Sequence, residues 1–263
     1  MLSAPATRSG RPAVVGISLK MYFDPQRSAT WARRIAEIAQ THPATANNAV
    51  RLFVLPSLPA LSAVLDAVGD ADVEVGAQDL FWEDRGPYTG GVSGADLAAL
   101  GCTLVEIGHA ERRRYFGEND VTVNLKVVAA VRNGLTPVLC VGERVPGTAA
   151  DAAAACFAQL ESALSGLPRL PEAASLVVAY EPEWAIGGHE PAGPEHVDIV
   201  AGRLKGFLDD LEWPGGFSII YGGSARPGLL PQLGRSVDGL FLGRFAHNPE
   251  ALTWVLDEAM ALR

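Results

Sequence analysis

The strongest constraint on this chain is an alternation of short apolar, β-branched runs with longer stretches of helical periodicity. The runs are "AVVGISL" (13–19), "RLFVLP" (51–56), "VEVGA" (73–77), "TLVEIG" (103–108), "LTPVLCVG" (135–142), "SLVVAYEP" (175–182), "FSIIYGG" (217–223) and "DGLFLG" (238–243). Apolar runs this short, with little polar alternation, suit strands buried on both faces, as in parallel sheets. Between them, 28–40, 57–68 and 121–133 repeat apolar residues every three or four positions, the period of an amphipathic helix. About eight β-then-α units predict an α/β fold, a single-domain closed (β/α)8 barrel, with a doubly wound open sheet as the second choice. No linker, low-complexity tract or repeat-protein period divides the chain. Residues 13–263 therefore read as one barrel domain and residues 1–12 as a flexible N-terminal tail.

Composition narrows function by exclusion. Lys and Arg total 21 against 30 Asp and Glu, a net charge of −9. Nucleic acid and anionic membrane need a positive surface, so neither is expected as a partner, and an anionic substrate would need a local positive site. Cys102, Cys140 and Cys156 lack CxxC spacing, which fits a reducing compartment and a cytoplasmic protein, with Cys140 read as core packing rather than a redox thiol. The opening "MLSAPATRSGRPA" lacks the apolar stretch of a signal peptide, and no apolar run approaches membrane-spanning length. His42, His189, His196 and His247 have no metal-ligand spacing, and no nucleotide or flavin motif is present, so no metal and no cofactor are expected.

In a parallel barrel, the residues just after each strand gather at one rim. The sequence places Ser18 and Lys20, Gln78, His109, Glu181, "YGGS" (221–224) and "LGR" (242–244) there. Taken singly, Glu181 reads as a solvated carboxylate and His109 as a hydrogen-bonded structural histidine. Lys20 reads as a surface lysine or, as in aldolases, a Schiff-base nucleophile. Together they suit another chemistry. The glycines let backbone N–H groups approach a phosphate, and Lys20 supplies positive charge. A glutamate and a neutral histidine on either side of a small sugar can move a proton between adjacent carbons, one as base and the other as electrophile at the carbonyl.

The segments "LKM" (19–21), "EIGHAERR" (106–113), "VLCVGE" (138–143), "AYEPEWAIG" (179–187), "IIYGGS" (219–224) and "VDGLFLG" (237–243) extend along nearly the whole chain. In that order they resemble the triosephosphate isomerase family, whose fold is the TIM barrel. The resemblance implies that Glu181 is the catalytic base, His109 the electrophile and Lys20 the substrate-binding lysine, with Glu111 a carboxylate near the last two. It assigns Gly187, Ser224 and Gly243 to the phosphate through their backbone N–H groups. Pro182, Glu183 and Trp184 correspond to the hinge of a lid loop, and Ala185, Ile186, Gly187 and Gly188 to its tip. Lid closure would exclude water and keep a phosphorylated enediol from losing phosphate. The aldolase reading leaves His109 and this lid unexplained.

The segment "QDLFWEDRGPYTGGVS" (78–93) resembles the family's third loop, which reaches into a neighbouring subunit. Phe81, Trp82 and Tyr88, read as exposed, and Thr89 at the tip are then expected to be buried in a twofold homodimer. Arg112 and Arg113 are expected in structural ion pairs.

Several positions depart from the family pattern. Ser18 stands where asparagine is usual, which removes an amide that contacts the reacting oxygens and opens space beside the reacting carbon. Ala110 replaces a common serine, and "GGHEPA" (187–192) replaces "GTGKTA" on the lid. Arg244 replaces the second glycine of the phosphate turn, where it either adds charge near a phosphate or second hydroxyl or points outward from an unchanged turn. Ser18 with "LFLGR" (240–244) resembles the erythrulose-phosphate isomerase branch of the family. Erythrulose 1-phosphate is dihydroxyacetone phosphate with one more hydroxymethyl on the reacting carbon, which a smaller residue at 18 would accommodate. The expected reaction is L-erythrulose 1-phosphate to D-erythrulose 4-phosphate through a cis-enediolate. The alternatives are the glycolytic conversion of dihydroxyacetone phosphate to D-glyceraldehyde 3-phosphate, and a non-catalytic sugar-phosphate binder.

Overall fold

Each apolar run forms a parallel strand paired with the next, and the last pairs with the first. A computed structural model describes residues 12–167, 170–188, 190–233 and 235–262. The strands are β1 (Ala13–Ser18), β2 (Val50–Leu55), β3 (Glu74–Ala77), β4 (Leu104–Ile107), β5 (Thr136–Val141), β6 (Leu176–Tyr180), β7 (Phe217–Tyr221) and β8 (Gly239–Leu242). β1 is bonded to both β2 and β8, so the sheet is a closed barrel and the open-sheet alternative falls. Around it run α1 (Pro25–Thr41), α2 (Pro43–Ala46), α3 (Leu61–Val68), α4 (Gly94–Leu100), α5 (Ala110–Phe116), α6 (Asp120–Arg132), α7 (Ala149–Leu164), α8 (Pro194–Asp210) and α9 (Pro249–Ala261). The tail expected over residues 1–12 lies outside the described residues apart from Pro12, and so does His189.

Local chemistry sets the element ends. Asp24 accepts from the Arg27 amide ahead of Pro25, starting α1, and Asn119 and Thr148 cap α6 and α7 in the same way. The β–α alternation is imperfect. Between β7 and β8 the described residues carry only a 3-10 turn, Leu230–Gln232, because Pro227, Gly228 and Pro231 interrupt any helix there. Two helices, α5 and α6, follow β4 instead.

The strands are buried on both sides, which explains why their sequences lack polar alternation. Val14, Phe53, Leu104, Val138, Val177 and Ile220 belong to one cluster inside the barrel. Their chain neighbours, among them Val15, Val54, Val105, Leu139, Val178 and Ile219, pack in the layer between strands and helices. With a strand period of two, Ser18 shares the face of Val14, and Glu106 that of Leu104. The seam closes tightly: a Cβ on Gly239 would lie 1.7 Å from the Val14 carbonyl oxygen, so only glycine lets β8 approach β1. Cys102, Cys140 and Cys156 are free and buried, and burial raises the Cys140 thiol pKa far above its usual value, as suits a core residue. Among the described residues no helix is long and apolar enough to cross a membrane.

Candidate active site

β1 delivers Ser18 at its end, and Lys20 follows at φ +47, a left-handed conformation uncommon for a residue with a side chain. Gln78 holds that turn, donating from Nε2 to the Lys20 carbonyl at 3.0 Å and the Leu55 carbonyl at 2.9 Å. The Lys20 ammonium donates to Glu111 Oε1 at 2.6 Å. Burial lowers the lysine pKa, but Glu111, Glu181 and Glu106 together outweigh burial and leave it above its ordinary value. Lys20 is thus a fixed cation.

His109 follows β4 and caps α5, its Nδ1 accepting from the Glu111 backbone N–H at 3.1 Å. An Nδ1 that accepts carries no proton, so in the neutral ring the proton sits on Nε2. Nε2 lies 3.6 Å from Glu181 Oε2, beyond hydrogen-bond range, and both side chains are buried. Glu181 Oε2 has no hydrogen-bond partner despite its burial, an arrangement that native proteins keep mainly where a group has work to do. Gly222 makes room for it: a Cβ there would lie 2.6 Å from Glu181 Oε1.

These groups share one cavity of about 550 Å³. Ser18, Lys20, His109, Glu111 and Glu181 line it together with Ile186, Gly187, Gly188, Ser224, Gly243 and Arg244. The remaining lid residues are at the hinge behind it. Pro182 precedes the 3-10 turn Glu183–Ala185, and Trp184 Nε1 donates to Glu143 Oε1 at 2.8 Å. The loop from 185 to 192 is tied down from three places. The Ser224 hydroxyl is 2.7 Å from the Ala185 carbonyl oxygen, Tyr221 OH accepts from the Ala192 N–H at 2.8 Å, and Arg244 Nη2 donates to the Gly187 carbonyl at 3.4 Å. Arg244 therefore reaches to the lid; the outward-pointing alternative is not what is observed.

Three residues beside these escaped the sequence reading. Glu143 anchors the hinge and Tyr221 the far side of the lid. Glu106 is 3% exposed and accepts from the Ser18 hydroxyl at 3.2 Å. Burial pushes its carboxyl up to about 7, against the opposing pull of His109 and Lys20. Strand parity was the available signal, since a charged residue on an inward-facing position of a buried strand requires a partner.

The 78–93 loop lies at a separate cavity of about 470 Å³, which Phe81, Trp82, Tyr88 and Thr89 line. Tyr88 is 42% exposed, but Phe81 and Trp82 are only half-buried rather than exposed as expected, because their rings stack at 4.0 Å. Arg112 pairs with Asp79 at 2.7 Å and with Glu118, and Arg113 pairs with Asp120 at 2.7 Å, the structural role anticipated.

The triosephosphate isomerase family profile matches residues 13–259. An L-erythrulose-1-phosphate isomerase of Pectobacterium atrosepticum is 52% identical over 254 residues, 97% of this chain and 98% of its own. One of that name from Rhizobium etli is 37% identical over 94% of this chain and 92% of its own. A triosephosphate isomerase of a Synechococcus species is 33% identical over 94% of this chain and 97% of its own.

Proposed function

The chain belongs to the triosephosphate isomerase family and is an isomerase, and on that basis we propose that it converts L-erythrulose 1-phosphate to D-erythrulose 4-phosphate. The chemistry moves one proton between adjacent carbons and one between the oxygens they carry. Glu181 takes the proton from carbon 3 while His109 Nε2–H polarises the carbonyl at carbon 2, giving a cis-enediolate. Glu181 returns the proton to carbon 2 while the hydroxyl proton on the carbon 3 oxygen passes to the carbon 2 oxygen by way of His109 Nε2, so carbon 2 becomes an alcohol and carbon 3 the new carbonyl. Lys20 offsets the charge of enediolate and phosphate, with Glu111 fixing its ammonium. Backbone N–H groups of Gly187, Ser224 and Gly243 hold the phosphate beneath the lid, with Arg244 joining the two loops.

The observation that carries the catalytic reading is the unpaired Glu181 oxygen facing His109 Nε2 at 3.6 Å on the wall of a cavity that also holds a lysine cation. A sugar-phosphate binder has no use for such a pair. The four-carbon choice rests on the 52% identical relative and on the short Ser18 beside the reacting groups. The triose reaction is the second reading, supported by the 33% identical relative.

The three buried free cysteines support a cytoplasmic setting. A homodimer is supported by Tyr88 and by Tyr115 and Phe116 of α5, which are 42%, 67% and 69% exposed around the second cavity and its flank.

The deciding assay compares kcat/KM on L-erythrulose 1-phosphate and dihydroxyacetone phosphate for wild type and Glu181→Gln. Wild type is expected to favour the four-carbon ketose, and Glu181→Gln to lose about a thousandfold or more in turnover on both. Preference for the triose would transfer the enzyme to the second reading, and unimpaired turnover by the variant would remove Glu181 as the base.

A further inference from the structure

Glu106 sits on β4 with its carboxyl inside the barrel, 3% exposed, in a segment that otherwise reads Leu-Val-Ile. Burial there strongly disfavours an ionisable group that has no partner. Its partners are few: the Ser18 hydroxyl donates to Oε2 at 3.2 Å, and the Cys140 thiol stands 4.0 Å from Oε1. The charged and titratable groups facing it are Lys20, His109 and Glu181, from the ends of β1, β4 and β6. Ser18 lines the cavity and Glu106 does not, so the hydrogen-bonded route from Glu106 to a substrate runs through Ser18.

A serine hydroxyl has one proton to give and two lone pairs. An ionised carboxylate accepts only, so while Glu106 is ionised the pair has one possible polarity. Ser18 gives its proton backward to Glu106 and turns lone pairs toward the cavity.

We propose that Glu106 is a positioning residue for substrate choice: by accepting the hydrogen bond of the Ser18 O–H, it leaves Ser18 an acceptor for the hydroxyl on the carbon that a four-carbon ketose phosphate carries beyond the triose. The inference rests on the four-carbon reading above. A triose offers no donor at that place and leaves the Ser18 lone pairs unpaired, which is how a polar site rejects a substrate lacking a hydroxyl. Without Glu106 the Ser18 proton can rotate into the cavity, and the match is lost.

The test measures the ratio of kcat/KM for L-erythrulose 1-phosphate to that for dihydroxyacetone phosphate at about pH 8 in wild type, Glu106→Leu and Glu106→Gln. Leucine removes the acceptor, whereas glutamine still offers Ser18 a carbonyl oxygen. The ratio is expected to fall about tenfold or more in Glu106→Leu, the worth of one hydrogen bond, and to stay within about threefold of wild type in Glu106→Gln. Equal losses on both substrates in Glu106→Leu, leaving the ratio unchanged, would reduce Glu106 to a structural role and overturn the inference. An equal fall of the ratio in both variants would also overturn it. Should Glu106→Leu not fold, the pH dependence decides. Protonating Glu106 lets it donate instead, so the wild-type ratio should fall from about pH 8 to about pH 6 while that of Glu106→Gln stays flat, and parallel profiles would refute the proposal. Wild-type preference for the triose would overturn the four-carbon reading and this inference with it; four-carbon preference with an unchanged ratio in Glu106→Leu would overturn this inference alone.

Discussion

At the residue scale, the placement of Glu106 makes stability depend on pH. Burial raises its carboxyl from the usual 4.5 to about 7. Between those values the folded state holds a proton that the unfolded chain releases, so its contribution is fully present below about pH 4.5 and disappears as pH rises through about 7. The loss across that window is about 3 kcal/mol. Glu106→Gln has no such titration, so its stability relative to wild type should be greater at about pH 8 than at about pH 5 by about 3 kcal/mol in urea unfolding. Identical pH dependence in the two proteins would mean that Glu106 titrates normally in the fold.

At the element scale, the lid is held by groups from two strands it does not follow. β6 leads into the hinge, where Trp184 bonds Glu143 beyond β5, while the far end is bonded by Tyr221 at the end of β7. Ala192 is buried, and the Tyr221 oxygen is the partner of its N–H. Tyr221→Phe removes that acceptor without changing the ring, at a cost of about 1–3 kcal/mol to the lid arrangement seen here. The expected result is a fall in kcat/KM of about tenfold or more with little change in thermal stability, since the loss falls on the segment proposed as the lid and not on the barrel core. An unchanged kcat/KM would show that this bond does not contribute to lid closure. Such pairings were invisible in the sequence because "YGGS" reads there only as a glycine-rich rim turn, and 29 residues separate Tyr221 from Ala192.

At the scale of the whole molecule, barrel closure gathers the site. Ser18, Glu106, His109, Glu181 and Gly222 come from four strand ends that meet only because β8 returns to β1 past Gly239. Closure also leaves the 78–93 loop projecting, with Tyr88 and the neighbouring Tyr115 and Phe116 uncovered. A patch of that kind suits association through a twofold axis. Light scattering at about micromolar concentration should give twice the mass of one chain. A mass of 27.7 kDa would refute the dimer.

Sequence by itself determined the elements and the family. All eight apolar runs became strands, because burial on both faces leaves a continuous apolar signature that needs no knowledge of neighbours. Lys20, His109 and Glu181 were legible as a set, since strand ends converge in any parallel barrel and their residue types fit one chemistry. What only the tertiary structure decided was pairing across the barrel. Glu106 lies within the "EIGHAERR" segment, which carries no sign of its partner, because Ser18 lies 88 residues away. The stacking that half-buries Phe81 and Trp82, the reach of Arg244 to Gly187 and the donor–acceptor direction at Ser18 are likewise set by geometry across elements. A one-dimensional pattern records which face a residue occupies, but hydrogen bonds depend on ångström distances between chains of side chains that only the closed barrel fixes.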